Sequence, residues 1–309
     1  MTKANPQALA FTDDNAAREA IEAILWPDGP CCPRCGALDK IGKVTGKTAR
    51  LGLYYCGSCK RQFTVTVCTI FERSKVPLSK WWFAVHLIAS SKKGFPAHQL
   101  HRTLGVAYPT AWFMSHRIRE AMRTGGLAPL GGEGGIVEAD ETFIGRKEGS
   151  IKRRGHGHKN TVLSLVDRNS KKVRSFHVDS VSAATLVPMV IENVAEETAM
   201  MTDEAGAYFT LGDHFDSHES VNHKADEWVR GDVHTNTVEG YFSIFKRGMK
   251  GVYQHCSEKH LHRYVAEFDF RYNERSALGV EDKERAAKIV RGSSGKRLIY
   301  RRPNQGCQA

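Results

Sequence analysis

The 309-residue sequence predicts an α/β chain built in successive parts, and three observations carry that reading. Two CxxC pairs, twenty residues apart, sit among short β-type runs; helical periodicity takes over at Leu78; and beyond a glycine-rich linker, strand-length apolar runs alternate with helical ones. The last pattern is that of a sheet flanked by helices. With 41% hydrophobic residues the chain can bury the cores of about two to three domains, which excludes a disordered protein. No apolar run approaches the length of a membrane span, and the opening residues MTKANP lack the basic-then-apolar order of a secretion signal. The expectation is a cytoplasmic protein with no membrane partner, whose eight cysteines meet reducing conditions and serve better as metal ligands than as disulfides.

Each element follows in order. Residues Asp13 to Leu25 read as a helix, with Asp13 or Asp14 as N-cap and Ala17, Ala20, Ile21 and Ile24 as its apolar stripe, stopped by Trp26 to Pro30. The runs KIGKV, RLGLYYC and RQFTVTV form a small β unit, giving a first part over 13–67. A second part, 68–130, holds three helices broken at Gly94 to Pro96 and at Gly105 to Pro109, then the linker from Thr124 to Gly135. The third part, 131–275, opens with Ile136 to Ile144, Thr161 to Val166 and Val173 to Val178 as three antiparallel strands. It continues with a helix from Ala183 to Val194, a fourth strand ending at Asp203, and a mostly helical stretch from Asn236 to about Arg275. Residues 276–309 read as a basic C-terminal tail.

Cys32, Cys35, Cys56 and Cys59 give two knuckles of two thiolates each, enough to close a tetrahedral Zn2+ site with no open position and hence a structural one. Cys31 leaves the first ligand open between itself and Cys32, and spacing favours Cys32. Cys68, Cys256 and Cys307 have no partner at ligand spacing. The helix, turn and helix of PAHQLHRTLGV, AYPT and AWFMSHRIREAMR suit a helix-turn-helix segment, with Arg117, Arg119 and Arg123 on DNA phosphates; a helical hairpin with a solvated basic face is the other reading. Net charge runs +10 over 1–130, −7 over 131–240 and +8 over 241–309, as expected if the ends hold a polyanion and the centre holds cations. Charge alone leaves solvated surface equally open.

Asp140 falls within a strand and Asp203 at the end of another, where an uncompensated charge is costly unless it is paired or on a metal. Glu239 opens a helix whose Val238, Phe242, Phe245 and Met249 point to a core, and Lys246, seven residues on, lies roughly 20° from it on the same face. Each acid has a plainer alternative: an arginine partner for Asp140, a helix cap for Asp203, a capping box with Asn236 for Glu239. Glu141 and Glu204 follow the aspartates and point to opposite strand faces, so neither is nominated. Together Asp140, Asp203 and Glu239 suit two hard cations that activate an attacking oxygen and stabilise a leaving one.

The zinc ribbon, the helix-turn-helix segment, VEADETFIGRK, MTDEAG, and HTNTVEGYFSIFKRGMKGVYQH followed by HLHRYVAEFDFRYNER resemble bacterial insertion-sequence DDE transposases of the IS1595 group, the ISXO type, over about residues 15 to 275. The resemblance implies a ribonuclease H-like catalytic domain over 131–275, with its DDE triad on Asp140, Asp203 and Glu239 and its phosphate-contacting lysine on Lys246. It implies Mg2+ or Mn2+ as two catalytic ions, DNA as partner, cleavage at insertion-sequence ends with strand transfer into target DNA, and a homo-oligomer paired on DNA. Cys68 stands where that family leads one to expect glycine. The basic loop from Arg146 to Lys159 is a further DNA contact through Lys152, Arg153 and Arg154, or a mobile turn. A non-catalytic DNA-binding protein and a structure-specific nuclease on the same fold are the rival functions.

Overall fold

A computed structural model describes residues 9–298. Its helices are α1 (Asp14–Leu25), α2 (Leu78–Ser90), α3 (Ala97–Leu104), α4 (Tyr108–Met122), α5 (Ala183–Asn193), α6 (Asn236–Gly248), α7 (Glu258–Asn273) and α8 (Asp282–Arg291). Its strands are β1 (Ile41–Lys43), β2 (Tyr54–Cys56), β3 (Arg61–Phe63), β4 (Gly135–Ile144), β5 (Asn160–Asp167), β6 (Lys172–Val178), β7 (Thr198–Thr202) and β8 (Ser217–Ser220). The chain forms two compact units: residues through Ser91, Phe95–Arg123 and the segment from Gly279 make the first, and Lys92–Gly94 with Thr124–Leu278 the second. None of the described helices is long and apolar enough to cross a membrane.

In the first unit Asp13 caps α1, accepting the Ala16 N–H at 2.6 Å, while Asp14 turns away to accept from the Ser79 N–H and hydroxyl. Strands β1, β2 and β3 form an antiparallel sheet whose small core is Cys32, Cys56 and Phe63, flanked by Trp26 and Tyr54. The four thiols of Cys32, Cys35, Cys56 and Cys59 lie within 4.8 Å of one another. The Cys32–Cys59 and Cys35–Cys56 sulfur separations are both 3.7 Å. Tetrahedral zinc with Zn–S near 2.3 Å requires about 3.8 Å between sulfurs, so the cluster fits that ion. The Cys31 Sγ points instead to the main-chain oxygens of Gly36 and Cys32, which settles the first ligand in favour of Cys32.

Helices α3 and α4 are joined by three residues, with Gly105 in the left-handed region at φ 61° and Pro109 in the first turn of α4. The basic face expected on α4 is absent. Arg117 and Arg119 are buried at 6% and 3% exposure, on a helix that packs against α2, α3 and α8. Arg117 donates to the Glu72 carbonyl at 2.8 Å and lies over the rings of Phe113 and Trp81. Burial lowers its pKa. Arg123 at the helix end is exposed and pairs with Glu120 at 2.7 Å. The expected tail is likewise corrected: α8 packs on α1, α2 and α4 through Ala286, Ile289 and Val290, and Arg285 donates to the Ala89 carbonyl. Apolar residues spaced three and four apart, interleaved with charge, make it an amphipathic helix. Residues 13–67 and 68–123 thus share one unit with a C-terminal segment. Cys307 lies outside the described residues. Cys68 holds φ 57°, a conformation that glycine adopts at no steric cost, and its carbonyl accepts the Gly295 N–H at 2.8 Å.

The second unit is a five-stranded sheet in the order β6-β5-β4-β7-β8. Strands β4, β5 and β6 are an antiparallel meander, as expected; α5 crosses back to lay β7 parallel to β4, and β8 adds a parallel edge. This is the ribonuclease H-like arrangement. β8, with the polar sequence SHES, has no apolar alternation to announce it. Strand alternation divides the core in two. Val137, Ala139, Leu163 and Leu165 pack beneath α5, and Val162, Val166 and Ile144 pack against α6 and α7. Gly131 enters β4 at φ 78°, where a Cβ would lie 2.2 Å from the Thr198 hydroxyl oxygen.

On the α6 side of β4 sits Glu138, fully buried. It accepts from Arg168 Nε at 2.6 Å, the Thr237 hydroxyl at 2.7 Å and the Val238 N–H at 2.8 Å. Arg168 also donates to the carbonyls of Asp232 and His234. One carboxylate therefore ties strand, helix start and preceding loop together.

Two outcomes follow. Elemental analysis should find one zinc per chain, lost with the ribbon's fold in Cys35→Ser and retained in Cys31→Ser; a metal-free, folded wild type would refute the site. Glu138→Ala should lower stability in urea by about 3–5 kcal/mol by taking the carboxylate from the largely enclosed Arg168 guanidinium and the acceptor from the buried Val238 N–H. Glu138→Gln, still an acceptor for Val238, should cost less, and an alanine variant as stable as wild type would contradict this.

Candidate active site

The site begins where the sheet opens. β7 pairs with β4 only from Gly135 to Glu138, so the rest of β4 has a free edge on that side. Glu138 is level with Met201; continuing the parallel register by two residues sets Asp140 level with Asp203, which directly follows β7, and on the same face. Glu239 lies in the first turn of α6, which Glu138 fastens over that face. Lys246 follows two turns later on the same side. A cavity of about 870 Å³ opens here, lined by the acidic side chains of Asp140, Glu141 and Glu239 and by the basic ones of Lys246, Arg247 and Lys250.

The carboxylates feel one another. Burial raises the Asp140 pKa well above the usual carboxylate range, and the charges of Asp203, Glu141 and Glu239 push it the same way. Asp203 is not in the cavity wall, but its charge reaches both Asp140 and Glu141. Burial lowers the Lys246 pKa, against the pull of Asp140 and Glu239. The Lys246 ammonium sits 5.8 Å from the Phe242 ring centroid. The four expected residues, Asp140, Asp203, Glu239 and Lys246, thus gather at one end of the sheet. Their oxygens are spread more widely than the thiols: among the described residues, only the cysteine set brings three or more ligand atoms within 4.8 Å.

The plainer roles are partly realised. Asp203 accepts the Ala205 N–H at 3.0 Å, and Glu239 accepts from the Thr235 hydroxyl at 3.2 Å, in place of Asn236. Neither bond uses up a carboxylate's acceptor capacity. His223 Nε2 lies 3.5 Å from Glu239 Oε1, and its ring packs on Trp228 with centroids 4.5 Å apart. Neither residue is legible from the sequence, since their loop has no periodicity. Glu141 reaches the other face as alternation requires, where it accepts from Tyr208 at 2.6 Å, yet the open edge brings it into the same cavity wall. His234 serves Arg168, its Nδ1 lying 2.9 Å from the guanidinium. Lys152, Arg153 and Arg154 are exposed on the loop between β4 and β5.

Comparison with known proteins gives these features a lineage. The model of the ISXO2-like transposase domain matches residues 131–273, and that of the transposase zinc-ribbon domain matches residues 12–62. A protein of Halobacterium salinarum described as an uncharacterized protein in transposable element ISH50 is 28% identical over 277 residues, spanning 84% of this chain and 91% of that one. Among solved structures, a chain of the simian T-cell lymphotropic virus intasome in complex with PP2A regulatory subunit B56 gamma is 12% identical with a TM-score of 0.29; the match covers 55% of this chain and 63% of that one, under two thirds of its length. The Mos1 strand transfer complex contains a chain 12% identical with a TM-score of 0.22, matched over 65% of this chain and 78% of that one. The two family models fall where the structure gathers its ligating side chains, four thiols and an acidic cavity, and the chain carries a transposase zinc-ribbon domain followed by an ISXO2-like transposase domain, both of the IS1595 kind.

Proposed function

We propose that the protein is a DDE transposase that cleaves DNA at insertion-sequence ends and joins the freed 3′-hydroxyl to target DNA. The observation that carries this is the convergence of Asp140, Asp203 and Glu239 at the open edge of the sheet, with Lys246 in the same cavity wall as Asp140 and Glu239. The donor set suits hard divalent cations: it offers only oxygen, and Asp140, whose proton affinity burial and the charges of Asp203, Glu141 and Glu239 raise, gains most from a cation beside it. Asp140, Asp203 and Glu239 are the residues that would hold two Mg2+ or Mn2+ ions, which would supply activation of the attacking oxygen and stabilisation of the leaving one. Lys246 binds a phosphate oxygen in the same cavity, and Arg247 and Lys250 extend its basic lining. Water and the 3′-hydroxyl act in turn on the phosphodiester, with no covalent bond to the protein.

The zinc ribbon and the helices beside it supply recognition. Their DNA face cannot be Arg117 and Arg119, which are buried. It lies with the exposed N-terminal turn of α4 from Tyr108 to Thr110, with Arg102 on α3 and with Arg123. Lys152, Arg153 and Arg154 contact backbone from the second unit, and two copies of the chain pair two transposon ends.

Strand transfer in Mg2+ or Mn2+ with DNA carrying the ends that flank its own gene tests the chemistry. The wild type should give joined products, while Asp140→Asn and Glu239→Gln bind DNA without cutting or joining. Binding without cleavage by all three would favour a DNA-binding scaffold, and cleavage without joining a nuclease. Neutralising Lys152, Arg153 and Arg154 should flatten the salt dependence of binding by up to about 2.7 in log–log slope. Arg117→Ala should leave the slope alone and cost stability, and the opposite pattern would reinstate α4 as a phosphate-binding face.

A further inference from the structure

Trp228 stands in the wall of the acidic cavity with 53% of its surface exposed. An indole in that position leaves apolar area in water that burial would otherwise recover. Its loop is braced on both sides. The Glu227 N–H donates to the Asn222 carbonyl at 3.0 Å, and the Asn222 N–H donates back to Glu227 Oε2 at 3.2 Å. Arg230 and Val233 exchange two main-chain hydrogen bonds of 3.0 Å, and Arg230 pairs with Glu227 at 3.1 Å. The ring is held outward by a fixed loop, so a partner that covers it orders little that is not already ordered.

One face of the indole is taken. It packs on the His223 imidazole at an interplanar angle of 32°, and that imidazole in turn touches Glu239. The free side belongs to a cavity whose lining also holds the carboxylates of Asp140, Glu141 and Glu239 and the cationic side chains of Lys246, Arg247 and Lys250. A flat aromatic body carrying a phosphodiester satisfies all three surfaces. An apolar protein segment satisfies only the indole and leaves the charged walls desolvated.

We propose that Trp228, backed by His223, is a stacking platform for a nucleobase of the DNA strand held in this cavity. The base it takes is an unpaired one, since a base inside a duplex has both faces covered by its neighbours. Because every base has a π-face, the platform grips without reading sequence, and it sets the depth to which a strand end enters beside Glu239. This rests on the DNA-processing reading of the same cavity, and the test separates the two.

The probes are a fluorescein-labelled twelve-residue thymidine strand and an abasic strand of equal length and charge, titrated with the full chain at one salt concentration without added magnesium. The wild type should bind the base-bearing strand about 5- to 150-fold more tightly than the abasic one. Trp228→Phe should keep most of that preference. Trp228→Ala and Trp228→Leu should lose it while binding the abasic strand as wild type does, which shows the basic wall intact; leucine keeps apolar cover over His223 but cannot stack. Retention of the preference in both the alanine and leucine variants overturns the platform. Equal binding of both strands by the wild type overturns the platform and leaves the DNA reading standing. Binding of neither strand overturns both.

Discussion

A single buried carboxylate organises the second unit of this protein. Glu138 is fully enclosed, and a charge so placed persists only with partners that repay its desolvation. Those partners are Arg168, a hydroxyl and a main-chain N–H at the start of α6. The bond to the Val238 N–H places a negative charge at the positive end of a helix, where it is favoured twice over. Because Glu138 lies two residues before Asp140 and its helix partner one residue before Glu239, the same interaction that fixes the helix also sets the distance between Asp140 and Glu239. The open edge of β4 then lets Asp203 complete the group.

Much of this arrangement is legible from residue order. The CxxC spacing leads to the thiol cluster, because two tight knuckles present four thiolates at tetrahedral ligand spacing. The runs from Ile136 to Val178 lead to β4, β5 and β6, because buried strands must be apolar. The acids stand out since strands seldom carry them. What the sequence conceals is of another kind. Edge strand β8 is polar and short, so nothing in its four residues separates it from a turn. The role of Glu138 is hidden by the two carboxylates that follow it at 140 and 141. Only the register with β7 and the reach of Arg168 from another strand distinguish the three. Arg117 and Arg119 mislead in the opposite direction: arginines on a helix read as a solvated basic face, but both are buried, and Phe113, Trp81 and a carbonyl hold the Arg117 guanidinium.

The two sets of ligating side chains answer to different chemistry. The four thiols are drawn together to sulfur separations of 3.7 Å and close around a small space with no access for a substrate. The carboxylates stay apart at a wide, charged opening, each still able to accept further bonds. Closure in the ribbon gives rigidity to a unit with almost no apolar core, and openness at the sheet leaves room for a reacting phosphate.

The first unit is discontinuous in the chain: it is left at Arg123 and regained only at Gly279, with the second unit made in between. Helix α8 brings Ile289 and Val290 into a core whose other walls were synthesised some 160 residues earlier. During translation the second unit can therefore complete its sheet while the N-terminal helices still wait for their last partner. At about 5–20 residues per second that wait lasts on the order of ten seconds or more. A chain released early, just past α7, would carry Asp140, Asp203 and Glu239 yet lack a wall of its first unit, so premature termination yields a protein impaired far from the break.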